Sequence, residues 1–155
     1  MCAQSGLPMT FEQAVEITAR ALAGKTDRFG EPELLHSLRV ALSVPEEARG
    51  VGVLHDAVED TDVTLEDLAR MGLSGDEVEA VRLLTHDDDD EPYADYIERV
   101  ATAEGEAGRL ARVVKLADLQ DNLGRTRPEM AHLRERYEQA LQRLSSEGVP
   151  SETWN

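Results

Sequence analysis

Val51-Gly52-Val53-Leu54-His55-Asp56-Ala57-Val58-Glu59-Asp60 passes from a wholly apolar half into a charged half. Val51 to Leu54 is apolar on nearly all sides, so it reads as the buried middle of a core helix running from Pro45 and Glu46 to about Asp60. One helical turn then brings His55 over Glu59 and Asp56 over Asp60, so adjacent facets present one imidazole and three carboxylates. Such a cluster at the inner end of a core helix is costly unless a cation or hydrogen bonds compensate it, and a divalent metal removes the conflict. The plainer alternative is a helix that surfaces after Leu54 into solvent. Against it, carboxylates at a helix C-terminus oppose the macrodipole.

Working outward, the rest of the chain reads as helices. Thr10 and Gln13 form a capping box that opens a helix to about Ala23, with Phe11, Val15, Ala19 and Leu22 on one face. Pro32 starts a second helix to about Ser43, which carries His36 among Leu34, Leu35, Leu38 and Val40. Downstream of the quoted stretch, Thr64 to Met71 with the pair Thr64 and Asp67, Ser74 to Thr85, and Pro92 to Val100 read as three more. Gly105 to Gly108 reads as a break before a long helix from about Arg109 to Asn122, and a last one spans about Pro128 to Leu144. The expected fold is therefore all-α and compact, with about seven or eight helices in one domain over residues 10–145, an N-terminal extension 1–9 and a tail 146–155. The scarcity of aromatics, two Phe, three Tyr and one Trp, fits helices packed through aliphatic stripes.

Sixteen Lys plus Arg against thirty-two Asp plus Glu give a net charge of −16, so the long-range field repels nucleic acid. A small phosphorylated ligand remains compatible, because a bound cation and a few basic side chains can reverse the potential inside one pocket. The single Cys2 offers no disulfide and no structural zinc site, which fits a reducing, cytoplasmic setting. No apolar run approaches the roughly 20 residues that span a bilayer, and the N-terminus lacks a signal-peptide pattern. The expected partner is a small molecule, with neither membrane nor nucleic acid.

Two further residues gain weight in company. A lone His36 in an apolar stretch is more often a hydrogen-bonded core residue than a ligand. Asp118 follows the apolar Val113-Val114-Lys115-Leu116-Ala117, and Lys115, Asp118 and Asn122 share one helical face that could equally be a solvated one. Taken together, His36, then His55-Asp56, then Asp118 follow the H…HD…D order of the HD superfamily of metal-dependent phosphohydrolases. Leu35-His36-Ser37-Leu38-Arg39-Val40-Ala41, Leu54 to Thr61 and Val114-Lys115-Leu116-Ala117-Asp118-Leu119-Gln120-Asp121-Asn122-Leu123 resemble the hydrolase domain of Rel/Spo enzymes and stand-alone small alarmone hydrolases, with similarity from about Ala21 to Arg125.

The resemblance implies a divalent metal, most often Mn2+, held by His36, His55, Asp56 and Asp118, with Glu59 and Asp60 as the pair that positions and activates the attacking water. It places Asn122 at a substrate contact and adds Lys25, Arg28, Arg39 and Lys115 as basic candidates on the substrate side. The implied reaction is hydrolysis of the 3′-pyrophosphate of (p)ppGpp, the stringent-response alarmone, to GDP or GTP and pyrophosphate. Two other readings stay open: an HD phosphohydrolase for another nucleotide or phosphate ester, and a regulatory module that binds a nucleotide without turnover. Two features depart from the family pattern. Ser37 stands where proline is usual, and the acidic run from Asp87 to Asp90, expected as a mobile surface feature, would repel phosphate if it faced the pocket. His86 beside that run reads as part of the same surface loop.

Overall fold

The computed structural model describes residues 6–87 and 89–145. Cys2, Asp88, most of the extension 1–9 and the tail 146–155 lie outside the described residues. Among the described residues there is no strand, only an isolated bridge between Thr26 and Pro32. The helices are α1 (Phe11–Ala21), α2 (Glu33–Leu42), α3 (Arg49–Leu54), α4 (Ala57–Asp60), α5 (Leu65–Arg70), α6 (Gly75–Leu84), α7 (Tyr93–Thr102), α8 (Gly105–Gly124) and α9 (Ala131–Ser145), with 3-10 turns at Glu46–Ala48 and Pro128–Met130.

Capping boxes at Thr10 with Gln13 and at Thr64 with Asp67 open α1 and α5 as the sequence implies, and Ser74 with Glu77 makes a third at α6. The core face of α1 is centred on Ala14, Thr18 and Leu22, with Phe11 and Val15 only partly covered. It is thus rotated from the face expected through Phe11, Val15, Ala19 and Leu22. The rotation has a cause, because the Thr18 hydroxyl is fully buried between the carbonyls of Ala14 at 2.9 Å and Val53 at 3.0 Å.

Val51, Gly52, Val53 and Leu54 are all buried, and α3 packs against α1, α2, α6 and α8. A Cβ on Gly52 would lie 3.2 Å from the Ala41 Cα, so the glycine sets how closely α3 meets α2. The single helix expected from Glu46 to Asp60 is corrected: it begins as a 3-10 turn, ends at Leu54 and restarts at Ala57. The carbonyls of Gly52 and Val53, which would carry the helix through the amides of Asp56 and Ala57, face side-chain donors, His55 Nδ1 at 2.6 Å and the Thr18 hydroxyl at 3.0 Å. The bend falls on His55 and Asp56.

The long helix also starts earlier than expected, at Gly105, so Gly105 to Gly108 is its first turn and not a break. Gly108 makes this possible, since a Cβ there would sit 2.1 Å from the Ala103 carbonyl oxygen. Central in the bundle, α8 contacts α2, α3, α6, α7 and α9. It carries two buried charged residues, Lys115 and Asp118, among Ala111, Val114 and Leu119. No described helix is long and apolar enough to cross a membrane.

Candidate metal and active site

α2, the α3–α4 bend, α4, α7, α8 and α9 converge on one cavity of about 400 Å3. His36, His55 and Asp56 bring ligand atoms within 4.8 Å of one another. Asp118 joins them, its Oδ1 2.7 Å from His36 Nε2 and 3.3 Å from His55 Nε2. Asp56 Oδ2 is 3.2 Å from His55 Nε2 and 3.8 Å from His36 Nε2. Ligands bound at about 2.1 Å in adjacent coordination positions stand about 3 Å apart, so these spacings fit one small divalent ion. Two imidazoles and two carboxylates form a mixed N and O set suited to Mn, Fe, Co or Zn.

The hydrogen bond of His55 fixes its tautomer. A carbonyl oxygen only accepts, so Nδ1–H donates to Gly52 O and Nε2 is left facing the cluster. The bend that breaks the α3–α4 helix therefore also aims a donor. Lys115 Nζ donates to Asp118 Oδ2 at 2.8 Å and lies 4.9 Å from the centre of the Tyr96 ring, while Asn122 Nδ2 approaches Asp118 Oδ1 at 3.4 Å.

Protons and charge are tightly linked here. Burial opposes the charge on His36, but hydrogen bonds to Asp118 and Asp121 outweigh it and raise its pKa to about 9. For Asp118 burial favours the neutral acid, and Lys115 and the two histidines overcome it, holding the carboxyl well below the usual range. Glu59 faces the open cavity within a concave protein wall. Desolvation there raises its pKa to about 7, aided by Asp56 and Asp60 and opposed by the His86 amide, which donates to Glu59 Oε2 at 2.6 Å. Burial and a hydrogen bond with Asp60 push Glu33 up to about 8. Glu33, Asp56 and Asp60 form a second group of carboxylates within 4.8 Å.

In the metal-free protein these groups make the stability of the fold depend on pH. Groups whose folded pKa is raised stabilise the fold below their ordinary pKa and lose that contribution as pH rises through the folded value. His36 thus contributes fully below about pH 6.5 and loses its contribution by about pH 9, and Glu33 and Glu59 lose theirs between about pH 4.5 and 8. At about 1.4 kcal/mol per pKa unit, His36 alone accounts for roughly 3 kcal/mol. Melting temperatures in chelator should fall steadily from pH 6 to 9.5; a flat profile would contradict the network.

The remaining sequence candidates divide. Arg28, Lys115 and Asn122 line the cavity with His36, His55, Asp56, Glu59, Asp60 and Asp118. Lys25 lies instead in a neighbouring groove with Glu59, Asp60 and Asp67, and the Arg39 guanidinium is engaged by Asp121 and Glu31 away from the cavity lining. Asp87, Asp89 and Asp90 are exposed in a turn closed by the amides of Asp90 and Glu91 on the Asp87 carbonyl. Changing these three to Asn should leave turnover within a few-fold, as steady-state rates would show. His86 differs from the surface-loop expectation: its ring stacks on Tyr96 at 4.6 Å and 14° and lines the cavity.

Sequence reasoning did not single out Glu33, Asp121, Arg125, or the wall of Phe29, Tyr93, Tyr96, Arg136 and Tyr137. A signal existed for two of them, since Asp121 and Arg125 follow Asp118 at i+3 and i+7 on the face already chosen. Arg125 ties the segment before α2 to α8, donating to Asp27 Oδ2 at 2.6 Å and Glu31 Oε1 at 3.2 Å while its guanidinium covers the Phe29 ring at 4.4 Å.

No family model matches the chain, and no curated protein does. Six solved chains do match. One of them is described as a metazoan ortholog of SpoT that hydrolyzes ppGpp and plays a role in starvation responses. This chain is similar to it with a TM-score of 0.68 and 25% sequence identity, over 88% of this chain and 83% of that one. The all-α architecture is that of an HD-domain ppGpp hydrolase structure.

Proposed function

We propose, for a chain with the HD-domain fold, that it is a metal-dependent phosphohydrolase that removes the 3′-pyrophosphate of (p)ppGpp. The observation that carries this reading is the convergence of His36, His55, Asp56 and Asp118 on one point of a cavity whose rim holds Glu59 and Asp60. Bound there, a divalent ion such as Mn2+ supplies Lewis acidity and lowers the pKa of a water.

The chain's own groups supply the rest. Glu59, with a pKa of about 7, is poised to take the proton of the attacking water near neutral pH, and the His86 amide holds its carboxylate in place. Asp60, close to Glu33, provides a second carboxylate to orient that water. The water oxygen bonds to the phosphorus attached to the ribose 3′ oxygen, the bond from that phosphorus to the 3′ oxygen breaks, and the oxygen regains a proton as the 3′-hydroxyl. Pyrophosphate leaves, and GDP or GTP remains. Arg28, Arg136 and Lys115 bring positive charge to the cavity wall, which offsets the phosphates inside a chain of net charge −16.

Incubating the Mn2+-supplemented protein with ppGpp, pppGpp, and a panel of other nucleotides tests the substrate. Phosphorus-31 NMR should show pyrophosphate with GDP or GTP from the first two at rates well above the rest. Orthophosphate release, or faster turnover of a nucleotide lacking a 3′-pyrophosphate, would overturn the assignment and leave a phosphohydrolase of another specificity.

A further inference from the structure

The two histidines of the cluster are backed differently. His55 Nδ1 rests on a neutral carbonyl, whereas His36 Nδ1 meets the carboxylate of Asp121, Oδ2 at 2.7 Å. Asp121 is itself held: Arg39 Nε donates to its Oδ1 at 2.7 Å, Arg39 Nη2 approaches Oδ2 at 3.2 Å, and Arg125 Nη2 lies 3.2 Å from Oδ2. The Asp121 side chain is only 15% exposed. Arg125 Nη2 also lies 3.2 Å from His36 Nδ1, which raises the alternative that the guanidinium donates to a bare Nδ1. The shorter contact excludes it, because a lone pair facing a carboxylate oxygen at 2.7 Å would be repulsive, so Nδ1 carries the proton.

We infer that Asp121 is a positioning residue for the metal centre: it keeps a proton on Nδ1 of His36, so that Nε2 is the nitrogen that gives up its proton to bind the ion, and Arg39 and Arg125 anchor it there. An anionic acceptor on the far nitrogen locks the ring and makes the near nitrogen a better donor than a neutral carbonyl does. The two guanidinium groups keep Asp121 ionised and stop it from swinging toward the metal. Arg39 thereby acts on the site through Asp121, without a place in the cavity wall. The inference rests on the metal-site reading above.

The test is Mn2+ affinity, followed by the EPR signal of free Mn2+, in the wild-type protein, in Asp121→Asn and in Arg39→Ala. Asp121→Asn keeps size but removes charge, and should weaken Mn2+ binding about 10- to 100-fold. Arg39→Ala leaves all four ligands and Asp121 in place and should weaken binding by a smaller factor. In the Zn2+-loaded protein, the downfield Nδ1–H proton resonance of His36 should move upfield in Asp121→Asn while that of His55 stays. A role confined to tying α2 to α8 would lower the melting temperature and leave affinity within twofold and the His36 resonance unmoved, which overturns the proposal. Should Asp121→Asn fail to fold, an unchanged affinity in Arg39→Ala would overturn it as well. If the wild-type protein itself bound no Mn2+, the metal reading would fall and the Asp121 role with it, an outcome distinct from equal, tight binding by wild type and variant.

Discussion

An Asp118→Ala variant is expected to purify without bound Mn2+ and to hydrolyse ppGpp no faster than background. Asp118 is 5% exposed and stands between both imidazoles, with Nε2 of His36 at 2.7 Å and of His55 at 3.3 Å, and it is the partner of the buried Lys115 ammonium. Removing it takes away a proposed ligand and leaves Lys115 without its counter-charge. Loss of a group that only hydrogen-bonds a ligand costs about 10- to 100-fold in metal affinity, so loss of a ligand itself should exceed that. Because the uncompensated Lys115 also destabilises the fold, Asp118→Asn is the companion variant: it keeps the volume and a hydrogen-bond acceptor, should retain the helical circular-dichroism spectrum, and should still lose metal and turnover. Elemental analysis and a pyrophosphate-release assay read both. Full activity in a folded Asp118→Asn protein stripped of metal would end the metal-centre reading.

For Glu59→Gln and Asp60→Asn the expected result is the opposite separation, normal Mn2+ content with hydrolysis reduced by about 10²- to 10⁴-fold in at least one of the two. Glu59 stands outside the four-ligand cluster, is held by the His86 amide, and has its pKa raised to about 7. Gln keeps its shape and its acceptor oxygen, so binding persists while proton uptake is lost. Asp60 belongs to the second carboxylate group with Glu33 and Asp56. If Asp60→Asn also lost metal, that group would have to be counted as part of the coordination shell. Full activity in both variants would show that neither carboxylate serves as the base.

What could be read from the chain was the chemistry that offends its surroundings. His36, His55-Asp56 and Asp118 each follow or interrupt an apolar run, and the structure brings all four to one point. The helical fold was legible for a related reason, since capping boxes at Thr10 and Thr64 and long aliphatic stripes carry local information. The break after Leu54 was not, because it depends on Thr18, 35 positions away, reaching the Val53 carbonyl. Asp121 was hidden by similar means. At the polar end of a helix it looks like a solvated carboxylate, and only the docking of α2 on α8 reveals its contact with His36 across 85 positions. Gly105 and Gly108 misled because two glycines close together signal a break, whereas Gly108 serves a close approach to Ala103.

The position of α8 in the chain has a consequence for biosynthesis. Asp118 lies 82 positions after His36 and 63 after His55, so the last of the proposed ligands emerges from the ribosome long after the first two. While α1 to α7 are already outside, the nascent chain offers only three of the four proposed ligands, His36, His55 and Asp56. At the proposed site, capture would be a closing event that follows the docking of α8, and until then the apolar faces that α8 will cover on α2, α3, α6 and α7 remain open to chaperones and to one another.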